Sequence, residues 1–139
     1  MTRAFVADAS IAIAWVHPGQ ATSQTAAMLD ALAGGATLEI PALWSLEVAN
    51  ALIVLQRRRK LTEDERQSAL GWLGRLPIRF DHEAAELAFS RLSELASAHA
   101  LSAYDAAYLE LAQRRRLRLG CKDGPLLRAA VRAGVRLWE

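Results

Sequence analysis

Residues 3–16 read Arg-Ala-Phe-Val-Ala-Asp-Ala-Ser-Ile-Ala-Ile-Ala-Trp-Val, and the rest of the fold can be inferred outward from them. The first five are typical of a short buried strand. Asp8 ends that strand, because a carboxylate is costly in an apolar interior. The apolar run from Ser10 to Val16 then predicts one or two turns of helix. A strand followed at once by a helix is the repeating unit of α/β proteins.

The same order of strand and helix recurs along the chain. Alternation of apolar residues and turn signals predicts further strands over 37–40, 78–80, 118–121 and 135–138. Helical periodicity and capping patterns predict helices over 21–33, 42–58, 62–75, 102–115 and 125–133, with an amphipathic helix after residue 81. We therefore predict an α/β sandwich with a mostly parallel central sheet, in a single domain over 1–139.

Composition excludes several classes of protein. The 139 residues are 53% hydrophobic, which predicts a packed globule rather than a disordered chain. Cys121 is the only cysteine, so no internal disulfide can form. No apolar run reaches the roughly 20 residues that a membrane span needs, and the N-terminus lacks the pattern of a secretory signal. We expect a cytoplasmic protein without membrane association.

Arginine dominates the basic residues. The net charge is only +2, but the 17 basic residues include two lysines, and the arginines cluster. One run is Arg57, Arg58 and Arg59, and the other is Arg114, Arg115 and Arg116. The planar arginine fork suits phosphate, which makes both runs candidates for RNA binding. Solvated helix ends, where cations are favoured by the helix dipole, explain each run equally well.

Two aspartates directly follow predicted strands. Asp8 follows the first strand, and Asp123 follows the strand that ends near Cys121. In open α/β sheets, ligands bind outside the carboxyl ends of the strands, which is where both side chains are expected. Each also has a structural explanation. Asp8 could cap the helix after it, and Asp123 could form a turn with Gly124.

Two further acids interrupt apolar helices. Glu47 lies in the apolar stretch 42–55, and Asn50, three residues later, is expected on the same helix face. An unpaired buried carboxylate is strongly disfavoured, so Glu47 needs a cation, a hydrogen bond or a solvent-facing cleft. Asp105 lies in the first turn of a helix that Ser102 can cap, so its position alone is more typical of a structural residue.

Together, the four acids indicate a divalent metal site. Converging carboxylates repel one another, and some would protonate unless a cation lay among them. Hard oxygen ligands suit Mg²⁺ or Mn²⁺. The three histidines are scattered and the cysteine is single, which argues against zinc. The chain has neither a phosphate-binding glycine loop with its lysine nor a nucleophile-elbow serine.

The motifs that carry these acids resemble PIN-domain proteins of the VapC toxin type, from Phe5 to Leu137. The matching segments are Val6-Ala-Asp-Ala-Ser10, Pro41-Ala-Leu-Trp-Ser-Leu-Glu-Val-Ala-Asn50, Leu101-Ser-Ala-Tyr-Asp-Ala-Ala-Tyr-Leu109 and Leu119-Gly-Cys-Lys-Asp123. The resemblance implies a three-layer fold with a parallel five-stranded sheet. It also implies a pocket for Mg²⁺ or Mn²⁺, ringed by Asp8, Glu47, Asp105 and Asp123 with Ser10 and Asn50 as auxiliary polar groups.

The resemblance further implies an activity and partners. The expected activity is hydrolysis of RNA phosphodiesters as the toxin of a toxin–antitoxin pair, with a VapB-type antitoxin as partner and a homodimer as the assembly. The family usually has threonine or serine where this chain has Cys121, a weaker hydrogen-bonding group. Two alternatives remain. One is a non-catalytic PIN-like RNA-binding or regulatory domain, and the other is a protein-interaction module built on the apolar residues Trp44, Leu55, Trp72 and Leu73.

Overall fold

A parallel four-stranded sheet forms the centre of the described structure. The computed structural model describes residues 3–122 and 124–138. Its strands are β1 (Ala4–Ala7), β2 (Thr37–Pro41), β3 (Ile78–Asp81) and β4 (Arg118–Gly120). They lie in the order β3-β2-β1-β4, and every neighbouring pair is parallel. Parallel strands need covered faces, and the apolar β1 sequence, with Phe5 to Ala7 buried, fits that requirement.

Helices connect the strands and flank the sheet. They are α1 (Ala9–Val16), α2 (Ser23–Ala33), α3 (Leu43–Arg57), α4 (Glu63–Leu73), α5 (Ala84–Leu87), α6 (Ser93–His99), α7 (Ala103–Arg115) and α8 (Pro125–Arg132). A π-helical stretch, Ala88–Leu92, joins α5 to α6, and a 3₁₀ turn, Pro18–Gln20, follows α1. The predicted capping box of α4 is present, with Thr62 Oγ1 and the Glu65 carboxylate each accepting a backbone hydrogen bond from the other residue.

Helix α7 is the most buried helix and packs on β1, β2 and β4. Its residues 106–112 are all buried, including Tyr108. Helix α2 packs on the end of β4, where Met28 lies against Gly120. A Cβ atom at position 120 would collide with Met28 Sδ. A larger residue at position 120 would therefore require the buried Met28 side chain to shift.

The prediction of five strands is wrong for the described residues, which form four. The expected last strand, 135–138, is reduced to a single parallel bridge between Leu119 and Leu137. The Leu119 N–H donates to the Arg136 carbonyl at 2.9 Å, and the Trp138 N–H donates to the Leu119 carbonyl at 3.0 Å. The segment emerges from a turn at Gly134, where φ is +74°, so few residues remain to extend the pairing.

The strand order creates a switch point between β1 and β4. From β1 the chain adds β2 and then β3 on one side, and it adds β4 on the other. Crevices form beyond the carboxyl ends of strands at such a point, because the connections leave in opposite directions. Asp8 directly follows β1 and donates its backbone N–H to the Gly120 carbonyl at 3.1 Å, which ties it to the end of β4.

The apolar residues of α3 and α4 belong mainly to the core. Trp44 and Leu73 are buried, whereas Leu55 and Trp72 are partly buried and pack against the core. These contacts give the four residues a structural role within the fold, as expected for most large apolar residues.

Candidate active site

Asp8 lies at the carboxyl end of β1 and precedes α1. Its side chain makes no capping hydrogen bond to that helix, although its position is that of a cap. The carboxylate instead accepts a hydrogen bond from Ser10 Oγ at 2.6 Å. Burial raises the pKa of the Asp8 carboxyl to about 6 despite that hydrogen bond, and the negative charge of Asp105 adds to the rise.

Glu47 projects from the second turn of α3 and is held by a tyrosine of α7. Tyr108, whose side chain is fully buried, donates its hydroxyl to Glu47 Oε1 at 2.6 Å. Burial raises the pKa of the Glu47 carboxyl, the Tyr108 hydrogen bond opposes that rise, and the charge of Asp105 adds to it. This contact fixes one carboxylate oxygen, while no hydrogen bond from a described residue occupies Oε2.

Asp105 lies in the first turn of α7, on the same helix as Tyr108. Ser102 caps the helix by accepting a hydrogen bond from the Asp105 backbone N–H at 3.0 Å. The Asp105 carboxylate does not complete a capping box, and within the described residues it makes no hydrogen bond or ion pair. Burial raises the pKa of this carboxyl as well. The capping role thus belongs to Ser102 and the backbone, which leaves the carboxylate available.

The three carboxylates lie close enough to affect one another. Asp105 raises the pKa of both other acids, and Glu47 contributes to the rise at Asp8. Within the described residues, their only hydrogen-bonding side chains are the hydroxyls of Ser10 and Tyr108, and no arginine, lysine or histidine pairs with them. These acids come from three different elements, so the fold brings together negative charges that it does not neutralise.

Other partly buried acids of the molecule are neutralised by arginine. Arg114 forms two hydrogen bonds to Asp81, at 3.0 and 2.8 Å, two to Glu110, at 2.8 and 3.0 Å, and one to Glu83 at 2.6 Å. Arg115 contacts the buried Glu39 at 3.2 Å. This contrast sets the acids at the ends of β1 and α7 apart from the acids that stabilise the fold, because an uncompensated buried charge is unfavourable.

The donor chemistry of the site fits a hard divalent cation. Oxygen ligands on Asp8, Asp105 and Glu47 are of the kind that Mg²⁺ and Mn²⁺ prefer. Burial raises the pKa of all three carboxyls, and a bound cation would stabilise their ionised forms. Residues 3–122 and 124–138 do not bring three Asp, Glu, His or Cys side chains together as a complete ligand set. Asp123 lies outside the described residues, so its place in the site stays a prediction.

The auxiliary residues differ in their positions. Ser10 contacts Asp8 directly. Asn50 lies one turn beyond Glu47 on α3 and is exposed, so the two residues do not form one inward polar face. Cys121 is buried just after β4. The ammonium group of the neighbouring Lys122 donates to the Gln20 carbonyl at 2.9 Å.

The two arginine runs lie away from the carboxylates. Arg57 ends α3, ten residues after Glu47, which corresponds to about 15 Å along a helix. Arg57, Arg58 and Arg59 are exposed and pair with no acid among the described residues. The second run ends α7, and its members Arg114 and Arg115 are held by the acids described above. Of that run, Arg116 alone has a guanidinium group without a described partner.

Sequence reasoning missed the two kinds of contact that organise the site and its surroundings. It did not assign a role to Tyr108, although this residue follows Asp105 by three positions and therefore shares a helix face with it. It also missed the pairs made by Arg114 and Arg115. The spacing of Glu110 and Arg114, four residues apart, is the one signal that could have indicated an ion pair.

Comparison with known proteins supports the fold. No protein-family model matches the chain, and no curated protein matches it in sequence. Among solved structures, VapBC2 from Rickettsia felis, bound to a DNA fragment from its promoter, superposes with a TM-score of 0.67 at 13% identity. The match covers 98% of this chain and 97% of that one. FitAcB from Neisseria gonorrhoeae gives a TM-score of 0.63 at 17% identity, covering 100% and 97%.

A toxin–antitoxin complex from Klebsiella pneumoniae gives a TM-score of 0.55 at 18% identity, covering 86% of each chain. At these identities the likeness concerns the fold. None of the described helices is both long enough and apolar enough to cross a membrane. The superpositions show that the chain shares the fold of these solved VapBC2, FitAcB and toxin–antitoxin structures.

Proposed function

We propose that this protein is a metal-dependent endoribonuclease that hydrolyses RNA phosphodiesters and acts as the toxin of a toxin–antitoxin pair. The observation that carries the proposal is the group formed by Asp8, Glu47 and Asp105. Burial raises the pKa of all three carboxyls, the charge of Asp105 adds to the rise at Asp8 and Glu47, and none of the three meets a cationic side chain in the described structure. The shared fold with toxin–antitoxin structures supports the biological role. We further propose that the protein binds a cognate antitoxin and forms a homodimer.

In this mechanism, Asp8 and Asp105 hold the divalent ion. When bound, Mg²⁺ or Mn²⁺ supplies electrostatic stabilisation of the phosphate and activation of a water molecule. Ser10 keeps the Asp8 carboxylate oriented through the 2.6 Å hydrogen bond. Because the pKa of Asp8 is about 6, its carboxyl is mostly ionised at pH 7.5 and can bind a cation there.

Glu47 orients the attacking water in this scheme. Tyr108 holds Oε1, and Oε2 remains available to accept a hydrogen bond from that water. The raised pKa of Glu47 makes it a better proton acceptor than an ordinary glutamate, provided that it is ionised. Asp123 would complete the ligand set if it lies where the resemblance implies.

Metal removal tests the proposal directly. Purified protein, free of any antitoxin, should cleave a long mixed-sequence RNA in the presence of Mn²⁺ or Mg²⁺. Cleavage should stop with excess EDTA and return when the metal is restored, because the carboxylates alone cannot neutralise the phosphate. The measurement is the time course of fragments on a denaturing gel, and a heat-denatured sample controls for contaminating nucleases that survive heating.

A non-catalytic RNA-binding domain is the alternative. It predicts RNA binding without cleavage in either metal. Calorimetry separates the two, because a nuclease site should bind Mn²⁺ whereas a purely structural group of acids should not. Protein that binds neither metal, and leaves diverse RNAs intact, would refute the proposed activity.

Tyr108→Phe should weaken Mn²⁺ binding about tenfold at pH 6.5. The substitution removes the hydroxyl that stabilises ionised Glu47, and a hydrogen bond to a charged group is worth about 1.5–3 kcal/mol. The pKa of Glu47 should rise further, so the loss should shrink between pH 6.5 and pH 8.5, because competition from protons for the carboxylate falls as pH rises. Calorimetric titration at the two pH values measures this difference.

The matched control is Tyr104→Phe, on the same helix. Tyr104 is 63% exposed, and its hydroxyl has no described hydrogen-bonding partner. The control should bind Mn²⁺ like the wild type. Equal affinities for both variants would show that the Tyr108 hydroxyl has no part in the site.

A further inference from the structure

A broad groove lies at the amino-terminal ends of strands β1 and β4, whereas the candidate carboxylates lie beyond the carboxyl-terminal end of the sheet. It has a volume of about 1770 Å³, and its lining includes the first residues of β1 and β4, the end of α7 and part of α2. Arg116 follows Asp105 by eleven residues, so α7 alone separates the two regions by about 16 Å. The groove is therefore distinct from the candidate active site.

The lining of this groove is strongly basic. Six arginines line it, whereas its acidic residues are Asp30 and Glu110. Two of the arginines are engaged elsewhere, since Arg114 binds three acids and Arg91 contacts Gln113 at 3.2 Å. The guanidinium groups of the other four make no hydrogen bond or ion pair with any described residue. They are exposed and belong to Arg3, Arg116, Arg118 and Arg136.

The backbone holds two of these arginines next to each other. Leu119 pairs with Leu137 in parallel register, so the preceding residues, Arg118 and Arg136, are lateral neighbours. Neighbouring strands lie about 4.8 Å apart, and like charges directly opposite each other are destabilising. Arg3 precedes β1, which pairs with β4 through Phe5 and Arg118. The fold thus concentrates the positive charge of Arg3, Arg118 and Arg136 at the amino-terminal end of the sheet, and no described acid pairs with these three side chains.

We infer that this groove binds the sugar-phosphate backbone of single-stranded RNA. The inference rests on the proposed function, which supplies RNA as the ligand. An RNA chain carries a phosphate at every nucleotide, and arginine forks bind phosphate oxygens in pairs. Most of the remaining lining is apolar and includes Ala27, Ala31 and Val135, so the four free arginines supply most of its polar contacts. Binding is therefore largely independent of sequence.

An RNA bound at the active site can reach this groove only if it is long enough to pass around the molecule. The groove therefore selects for long substrates. A short oligonucleotide, bound at the carboxylates alone, gains nothing from it.

The test compares the double variant Arg118→Gln/Arg136→Gln with the control Arg57→Gln/Arg58→Gln, which removes the same charge from the end of α3. Binding of a fluorescent 20-nucleotide RNA is measured by anisotropy in EDTA, so that no cleavage occurs. The groove variant should bind at least tenfold more weakly than the control. Its slope of log affinity against log salt should fall by about 1.4, for two lost contacts to a single strand.

Several results would overturn the inference. The two double variants could lose equal affinity, which would indicate a general effect of charge. A poly-aspartate peptide could bind the groove more tightly than RNA of equal length, which would indicate an acidic protein partner. Thermal melting checks folding, and the groove variant should melt no lower than the wild type because a like-charge contact is removed.

Cleavage assays separate this inference from the proposed function. If the wild type cleaves both a 20-nucleotide and a 5-nucleotide RNA, the groove variant should raise KM at least tenfold for the long substrate and leave the short one unchanged. An unchanged KM for the long RNA would refute RNA binding at the groove and leave the proposed ribonuclease activity intact. RNA binding at the groove without any cleavage would refute the nuclease instead.

Discussion

Asp8→Asn should abolish RNA cleavage and, at the same time, stabilise the metal-free protein. The first effect follows from the loss of a proposed metal ligand, and we expect activity to fall at least a hundredfold. The second effect follows from burial, which raises the pKa of Asp8 to about 6 from an ordinary 3.8. A group whose ionised form is disfavoured in the folded state destabilises the fold once it ionises.

The direction of the pH dependence is fixed by that shift. Between about pH 4 and 6, the folded protein binds a proton at Asp8 that the unfolded chain has released. Stability of the wild type therefore falls as pH rises through this window, and the full penalty is present above pH 6. A shift of about two units corresponds to about 3 kcal/mol, and relaxation of the variant should leave a gain of about 1–3 kcal/mol at pH 7.5.

Urea denaturation in EDTA at pH 7.5 and pH 4.5 measures the effect. Asp8→Asn should be more stable than the wild type at pH 7.5, and the difference should narrow at pH 4.5. Mn²⁺ should then stabilise the wild type and not the variant, because a ligand that binds only the folded state raises its stability. Asp64→Asn, at the exposed start of α4, is the control and should change neither activity nor metal response.

A variant that is inactive and less stable at pH 7.5 would mean that Asp8 is a structural residue. A variant that keeps its activity would remove Asp8 from the proposed mechanism. Loss of activity combined with a gain of stability is the pattern expected where function is built at the expense of stability.

The sequence predicts the fold well where local signals are strong. β1 is a short apolar segment that ends at a carboxylate, and Thr62 with Glu65 specifies the start of α4; both elements are confirmed. The apolar residues of the terminal segment 135–138 predict a strand. Strand pairing depends on distant partners, and here one bridge to Leu119 is all that forms among the described residues.

The candidate site is harder to predict, because its contacts join distant parts of the chain. Position alone favoured a capping role for Asp105, and the structure shows that the backbone N–H, not the carboxylate, serves the cap. The hydrogen bond from Tyr108 to Glu47 spans 61 positions, and the contact of Arg115 with Glu39 spans 76. No periodicity or motif encodes such pairs, since they exist only once the sheet has set the helices in place.

The arginine runs show that sequence alone can also suggest a functional role for residues that the structure places in ion pairs. Composition made Arg114, Arg115 and Arg116 equivalent candidates for RNA binding. In the structure, Arg114 lies among Asp81, Glu83 and Glu110, and its pKa is raised by the hydrogen bonds to Glu110 and Asp81. The 27% exposure of its side chain places this residue within the architecture rather than on an open phosphate-binding surface.

Arg114→Met should therefore destabilise the fold by about 2–4 kcal/mol at pH 7.5. Removing one member of a buried charge network leaves the others uncompensated, which costs about 3–5 kcal/mol when the network is fully buried. Here Glu110 is 9% exposed, Asp81 is 18% exposed and Glu83 is 54% exposed, so water screens part of the loss. Methionine retains much of the aliphatic bulk, which limits any effect of lost packing.

The pH dependence identifies the cause of this loss. The Arg114 hydrogen bonds hold the pKa of the Asp81 carboxyl below its usual value, so this pair contributes stability above about pH 4 and loses it as pH falls through the lowered pKa. In Arg114→Met, the freed carboxylates repel one another and should take up protons at higher pH than in the wild type. The gap in stability between variant and wild type should consequently narrow as pH falls toward 4.

Urea denaturation at pH 7.5 and pH 4 measures both free energies of unfolding. Arg58→Met, which removes an exposed arginine without a described partner, is the control and should stay within about 0.5 kcal/mol of the wild type. The pair Arg114→Met/Glu110→Met should recover part of the loss, because it removes the most buried carboxylate together with its partner. A loss that is independent of pH and unrelieved in the double variant would point to packing, and the charge network would then have no role in stability.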